Sequence, residues 1–269
     1  MDFNLSAALN STPVTQVRFF DSIDSTNTYA LRWLEEDAPD FSLVIADEQT
    51  RGRGRFDRRW VTKPASSLAF SLVLRPPPPF NERVALYAPL CALAIHDAVK
   101  RQLQLRTEIK WPNDSLVGRK KFGGVLVEAL WDGGKLLGLV LGIGINVNQG
   151  SVPDSTFQSF PATCLEAAVG HPVERYLLLQ NVLNAVNSWR SQMGSAAFMA
   201  QWQANLAFRG EWVSLERSTK PLIIGKIKGI DDFGRLLLLN ENDEEMAVEV
   251  GDVHLRPAFT PDQGVQHAG

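Results

Sequence analysis

Val125-Leu126-Val127-Glu128-Ala129-Leu130-Trp131 is followed by Asp132-Gly133-Gly134, and then by a second apolar run over residues 136–147. Two apolar runs divided by a short Asp-Gly-Gly turn read as a β-hairpin. Working outward, residues 14–20, 41–46, 67–74 and 106–110 read as further strands. Asp24-Ser25-Thr26-Asn27 offers capping side chains to a helix near 28–36. Leu86, Leu90, Leu93 and Ala94 fall at helical spacing within 83–103. Pro89 must then sit in the first turn of that helix or kink it. Helices are also expected over 173–193 and 195–206. From Glu211 the pattern changes to short alternating strands at 211–217, 222–230, 235–239 and 246–250, divided by turns such as Asp231-Asp232-Phe233-Gly234. This spacing predicts a small β-barrel of about fifty residues. The expected architecture is α/β (α+β). A mixed sheet with helices occupies residues 1–208, an all-β module 209–257, and a flexible polar tail 258–269.

Composition bounds what such a chain can do. Its 269 residues are 45% hydrophobic and 21% charged, ordinary fractions for a globular protein, which excludes a disordered or fibrous chain. Twenty-seven basic and thirty acidic residues leave a net charge of −3. That argues against a surface that coats nucleic acid or anionic membrane. No apolar run reaches the roughly 18 residues of a membrane span. Met1-Asp2-Phe3-Asn4 shows no basic segment leading into an apolar core, so no secretory signal is read. Cys91 and Cys164 are too few for a disulfide framework. A reduced, cytoplasmic protein is expected.

Three segments could carry chemistry. The first is Gln49-Thr50-Arg51-Gly52-Arg53-Gly54-Arg55-Phe56-Asp57-Arg58-Arg59-Trp60. Its five arginines repel one another unless an anion binds among them. The glycines allow backbone N–H groups to turn toward a ligand, and guanidinium forks suit phosphate or carboxylate. A solvated basic loop and an arginine-glycine RNA-binding segment have the same composition. The second is Lys110-Trp111-Pro112-Asn113-Asp114, followed by Lys120-Lys121-Phe122-Gly123-Gly124. Pro112 stops a strand and leaves Asn113 and Asp114 at its end, where function is common. Asp114 could hold Mg2+ and Lys110 a phosphate; Asn-Asp is equally ordinary turn chemistry. The third, Gly142-Ile143-Gly144-Ile145-Asn146-Val147-Asn148, has glycines where another backbone or a flat ring could pack.

What is missing narrows the choice. There is no phosphate-binding G-x-x-x-x-G-K-[ST] loop and no G-x-S-x-G nucleophile elbow. His96, His171, His254 and His267 show no metal-ligand spacing.

Together the segments resemble the biotin protein ligase family. Gly52-Arg53-Gly54-Arg55 through Trp60 resembles its adenylate loop. Lys110–Asp114 followed by Lys121 and Gly124 is similar to its second motif. Ser25-Thr26-Asn27, Gln49 and Gly144-Ile145-Asn146 occur in the family's order, and the resemblance runs from about Val17 to Arg256. It implies a catalytic domain like those of class II aminoacyl-tRNA synthetases and lipoate ligases, with an SH3-like C-terminal barrel. The family's loop usually has glycine where this chain has Asp57. Ser25 lies too near the start for the helix-turn-helix domain of about sixty residues found in some bacterial members. The monofunctional type, without specific DNA binding and without membrane association, is therefore expected.

The resemblance also implies a reaction. Biotin's carboxylate attacks the α-phosphorus of ATP to give biotinyl-5′-adenylate, and a lysine of a biotin carboxyl carrier domain of an acyl-CoA carboxylase then displaces AMP. Biotin and ATP are the substrates, with Mg2+ implied. By resemblance, Arg55 and Lys121 are catalytic. Ser25, Thr26, Asn27, Gln49, Gly52, Arg53, Lys121 and Gly124 hold biotin. Arg53, Arg55, Arg58, Trp60, Lys110, Asn113, Asp114 and Asn146 hold ATP and the adenylate, with Asp114 the candidate Mg2+ ligand. Lipoate or octanoate transfer on the same fold is the nearest alternative, and nucleic-acid binding through the arginine-glycine loop is the alternative of another class.

Overall fold

The computed structural model describes residues 3–56, 58–152, 160–217, 220–249 and 254–257. Asp57 and the expected tail at 258–269 lie outside them. Seven strands form one mixed sheet: β1 (Val17–Ile23), β2 (Ser42–Gln49), β3 (Ser67–Leu74), β4 (Glu108–Lys110), β5 (Asp114–Val117), β6 (Lys120–Asp132) and β7 (Lys135–Asn146). Their order is β1-β2-β3-β7-β6-β5-β4. Only β1 and β2 run parallel, with α2 (Thr26–Glu35) between them in sequence. The hairpin read around residues 132–134 is the β6–β7 pair, closed at Asp132↔Lys135. Gly133 and Gly134 take positive φ there, as the turn requires.

The two faces of this sheet have different jobs. On one, Leu43, Ile45, Leu68, Phe70, Leu72, Leu139, Leu141, Ile143 and Ile145 belong to the main core, with α3 (Tyr87–Leu103) and α5 (Arg175–Arg190). On the other, Val44, Val73 and Val140 pack under α2 through Ala30, Trp33 and Leu34. The period of two along each strand continues on the α2 face into smaller residues: Ser71 on β3, then Gly142 and Gly144 on β7. Where the side chains shrink, the sheet opens into a cavity.

Helix α3 begins at Tyr87, so Pro89 sits in its first turn, where its missing N–H costs nothing. Residues 80–82 and 84–86, partly read as helix, form two 3-10 turns. Four elements escaped the sequence reading: α1 (Phe3–Leu9), β5, α4 (Leu165–Val169) and β12 (His254–Pro257). β5 opens on Asp-Ser; its neighbours β4 and β6 make it a strand rather than any alternation of its own. α6 spans Ala196–Ala204.

The C-terminal strands β8 (Trp212–Arg217), β9 (Lys220–Ile230), β10 (Leu236–Leu239), β11 (Glu245–Val248) and β12 pair antiparallel in the order β11-β10-β9-β8-β12. Val213, Leu215, Ile227, Leu236 and Leu238 join the same core as Trp111 and Trp202. The Trp111 indole N–H donates to Gly234 O (3.0 Å), and Ile230 N donates to Gln203 Oε1 (2.9 Å). Beside them, Ile109 N donates to Asn205 O (2.7 Å) and Ala207 N to Ile109 O (2.9 Å). Among the described residues no helix is long and apolar enough to cross a membrane.

Candidate active site

A cavity of about 630 Å³ lies on the α2 face, lined by side chains from all three sequence segments. Its floor is polar and closely bonded. Ser25 is the N-cap of α2, its side chain accepting from Thr28 N. This cap fixes Thr26 and Asn27 in the first turn, where both are buried. Gln49 Oε1 accepts from Thr26 N (2.8 Å) and Thr26 Oγ1 (3.0 Å). Ser71 Oγ donates within 2.5 Å of Asn27 Oδ1 and 2.8 Å of Thr26 Oγ1. Asn27 Nδ2 donates to Glu128 Oε2 (2.8 Å). A Cβ on Gly142 would collide with the Asn27 amide, so this glycine is what admits the asparagine.

The arginine-rich segment rises beside this floor as a small hairpin. Arg51 N donates to Asp24 O (2.8 Å), Trp60 N to Gly52 O (2.9 Å) and Gly54 N to Arg58 O (2.7 Å). Arg53 and Arg59 face each other across it. The Arg53 guanidinium reaches Glu128 Oε2 (2.5 Å), and Arg55 Nη1 donates to Asn113 Oδ1 (3.4 Å). The Trp60 ring covers Gly144, where any Cβ would strike it. Of the two partners the third segment's glycines allow, another backbone or a flat ring, Gly144 meets a ring. Trp60 Nε1 is buried without a hydrogen-bond partner among the described residues.

The far wall is cationic. Lys121 Nζ stands 2.5 Å from Asp114 Oδ1, and Lys110 Nζ 3.5 Å from Asp114 Oδ2. Burial opposes ionisation of Asp114, but the Lys121 and Lys110 ammoniums outweigh it and hold the carboxyl below the usual range. Burial pulls Lys110 downward, and repulsion from Lys121 adds to this; Asp114 only partly offsets them. Lys110 Nζ also lies 4.8 Å from the centre of the Phe160 ring, and Lys121 Nζ 5.7 Å from that of Trp60. Asn113 Nδ2 donates to Val125 O (2.6 Å) and Asn146 Nδ2 to Thr163 O (3.1 Å), which sets both amides at the rim. Gly124 lies under Lys121, 3.1 Å from its Nζ to an added Cβ.

The fold thus gathers Ser25, Thr26, Asn27, Gln49, Arg53, Arg55, Arg58, Trp60, Lys110, Asn113, Asp114, Lys121, Gly124 and Asn146 around one cavity. Gly52 lies at the hairpin base, its Cα facing the Trp60 carbonyl. Asp114 fits poorly as a metal holder, because its two oxygens already lie on two ammonium groups. Among the described residues no three His, Cys, Asp or Glu side chains gather to hold an ion. Glu128 and Ser71 were missed. Each is an isolated polar residue in an apolar strand, a signal that could have found them. Leu255 and Arg256 of β12 also reach the cavity edge.

Comparison with known proteins agrees with this geometry. Residues 19–146 match the model of the Biotin/lipoate A/B protein ligase family, and residues 210–256 that of the Biotin protein ligase C terminal domain. The chain is 34% identical over 229 residues to a biotin--[acetyl-CoA-carboxylase] ligase of Paracoccus denitrificans, covering 80% of this chain and 90% of that one. It is 32% identical over 242 residues to the bifunctional ligase/repressor BirA of Bacillus subtilis, covering 88% and 73%. The solved structure of the Aquifex aeolicus biotin protein ligase in complex with biotin and ATP superposes with a TM-score of 0.78 at 28% identity, covering 91% of this chain and all of that one. By sequence and by fold, this chain belongs to the biotin/lipoate A/B protein ligase family and carries the C-terminal domain of the biotin protein ligases.

Proposed function

We propose that this protein is an ATP-dependent biotin ligase that joins biotin to a lysine of a biotin carboxyl carrier domain through biotinyl-5′-adenylate. The observation that carries the reading is the union, in one cavity, of a buried hydroxyl and amide floor with a wall and a loop of cations. A neutral ureido ring needs donors and acceptors at fixed positions, which Ser25, Thr26 and Gln49 provide with little rotamer freedom. A carboxylate and a triphosphate need positive charge, which Arg55, Arg58, Lys110 and Lys121 provide. The backbone at Gly124 gives close approach, Gly52 lets the two arms of the hairpin meet at Trp60 without lining the cavity, and Asn27 holds the floor in place.

Chemistry in such a site consists of bringing two anions together. A biotin carboxylate oxygen attacks the α-phosphorus, an O–P bond forms, and the bond to pyrophosphate breaks. Lys121 and Arg55 lower the barrier by neutralising charge that develops at the α-phosphoryl oxygens. Asp114 shares the Lys121 charge and keeps two lysines from repelling each other. An arriving phosphate therefore meets a prearranged ammonium. Asn113 and Asn146, with the Trp60 ring, form the place for the adenine. In the second step the neutral amine of the carrier lysine attacks the acyl carbon and AMP leaves. The adenylate is a reactive anhydride, and the hairpin over the cavity restrains water until the carrier arrives. The division into a catalytic part, 1–208, and a C-terminal part, 209–257, belongs to the same proposal.

Incubation with biotin, ATP and an acceptor domain tests the reading. A mass increase of one biotinyl group on one lysine is expected. An unmodified acceptor, or preferential transfer of a lipoyl or octanoyl group, overturns it.

A further inference from the structure

Glu128 has no place in the roles above, yet it stands at a junction. It sits on β6 opposite Val140, a quarter exposed, and is not among the residues lining the cavity. A single oxygen, Oε2, accepts from Asn27 Nδ2 (2.8 Å) and from Arg53 Nη2 (2.5 Å). Asn27 is part of the floor, with its amide confined by Ser71, Gly142 and the Leu126 carbonyl. Arg53 is one arm of the hairpin, facing Arg59 across it. One carboxylate on β6 therefore joins the first turn of α2 to a glycine-flanked loop.

A carboxylate so near an anion-binding site would repel substrate unless it were neutralised. Asp114 is neutralised by lysines, and Glu128 by Arg53. A guanidinium bound in this way holds the loop by a charge-assisted bond, whose geometry is fixed by the fork. Gly52 and Gly54, on either side, supply little order of their own.

We propose that Glu128 is a positioning residue. It ties Arg53, and with it the 52–60 hairpin, to the Asn27 floor, so the Arg53 guanidinium serves the loop while Arg55, Arg58 and the lysines serve the substrates. Filling of the floor and placement of the loop are coupled through this one carboxylate. The geometric half of this inference stands by itself; its kinetic half rests on the biotin-ligation reading.

Hydrogen exchange on the ligand-free protein tests the geometric half without any assumption about substrate. Glu128→Gln keeps an acceptor for Asn27 but loses the negative charge that faces Arg53. Arg53→Gln removes the strap from the other end, on a side chain 42% exposed and outside the core. Each should speed exchange of the Gly54 and Trp60 amides about fivefold, as expected for loss of one charge-assisted bond. Unchanged exchange in both variants overturns the strap. A double-mutant cycle on biotin-dependent adenylate formation tests the kinetic half. Glu128→Gln should raise KM for biotin about fivefold with kcat within about twofold. Arg53→Gln should then cost less than about twofold further in the Glu128→Gln background. A full and equal loss from Arg53→Gln in both backgrounds would mean that the guanidinium contacts substrate directly. Absence of any biotin-dependent adenylate formation in the parent protein, with the exchange result intact, would overturn the ligation reading and leave the strap standing.

Discussion

Lys121 Nζ lies 2.5 Å from Asp114 Oδ1, so the ammonium expected at the reacting phosphate is held by a carboxylate from the neighbouring strand. The pair is fixed by the sheet: Asp114 on β5 is opposite Gly124 on β6, three residues beyond the lysine. A glycine at 124 leaves room for the Lys121 side chain to fold back toward Asp114.

Lys121→Ala should slow adenylate formation by about a hundredfold or more, since a charge-assisted contact made in the transition state contributes a few kcal/mol. The fold should survive, because the lysine is at a cavity wall. Pyrophosphate release without carrier measures the first step alone. A near-normal rate would remove Lys121 from the chemistry.

Asp114→Asn should destabilise the protein by roughly 1–3 kcal/mol at neutral pH, as Lys110 and Lys121 lose their shared counter-charge. The folded-state carboxyl ionises below its ordinary value of about 4. Its contribution is therefore complete above that value and is lost as pH falls through the lower folded one. Urea unfolding from pH 7 down to pH 3 should show parent and variant converging only below pH 4. A constant gap down to the lowest pH would mean that the ion pair is not the source.

Arg55→Ala should weaken a stable biotinyl-adenylate analogue about tenfold or more, and biotin much less, because its guanidinium stands by Asn113 at the nucleotide side. Calorimetry with both ligands decides, and equal losses would contradict the assignment.

Trypsin should cut the ligand-free protein first within Arg51–Arg59, where the glycines at 52 and 54 give the backbone little order of its own. Biotin should protect this segment partially and an adenylate analogue strongly, as counter-charge arrives. A first cut elsewhere, or no protection by the adenylate, would refute the coupling of this loop to ligand.

Trp111→Phe should lower stability by about 1–2 kcal/mol by leaving the Gly234 carbonyl unpaired in the core. Denaturant unfolding measures this. Gly234→Ala should cost as much or more, since φ is +82° there and a Cβ would press on Leu86 and Trp202. Two variants as stable as the parent would show that this seat of the C-terminal sheet is unimportant.

The sequence by itself determined most of the elements, though not α1, β5, α4 or β12, and the chemistry-bearing segments. The 67–74 strand, the 132–134 hairpin, Pro89 in a first turn and the capping Ser25 depend on period, turn residues and missing N–H groups within a few neighbours. The motifs were legible because glycines, arginines and lysines at short spacing announce an anion site. Tertiary structure alone decided how charges pair. Nothing local in Glu128 points to Arg53, 75 residues away, or in Trp111 to Gly234, 123 residues away. Asp114, whose neighbours in sequence leave a metal ligand and ordinary turn chemistry equally open, stands between two lysine ammoniums. The energy of an ionised group depends on distance and burial, and both arise only when the sheet brings separate strands together.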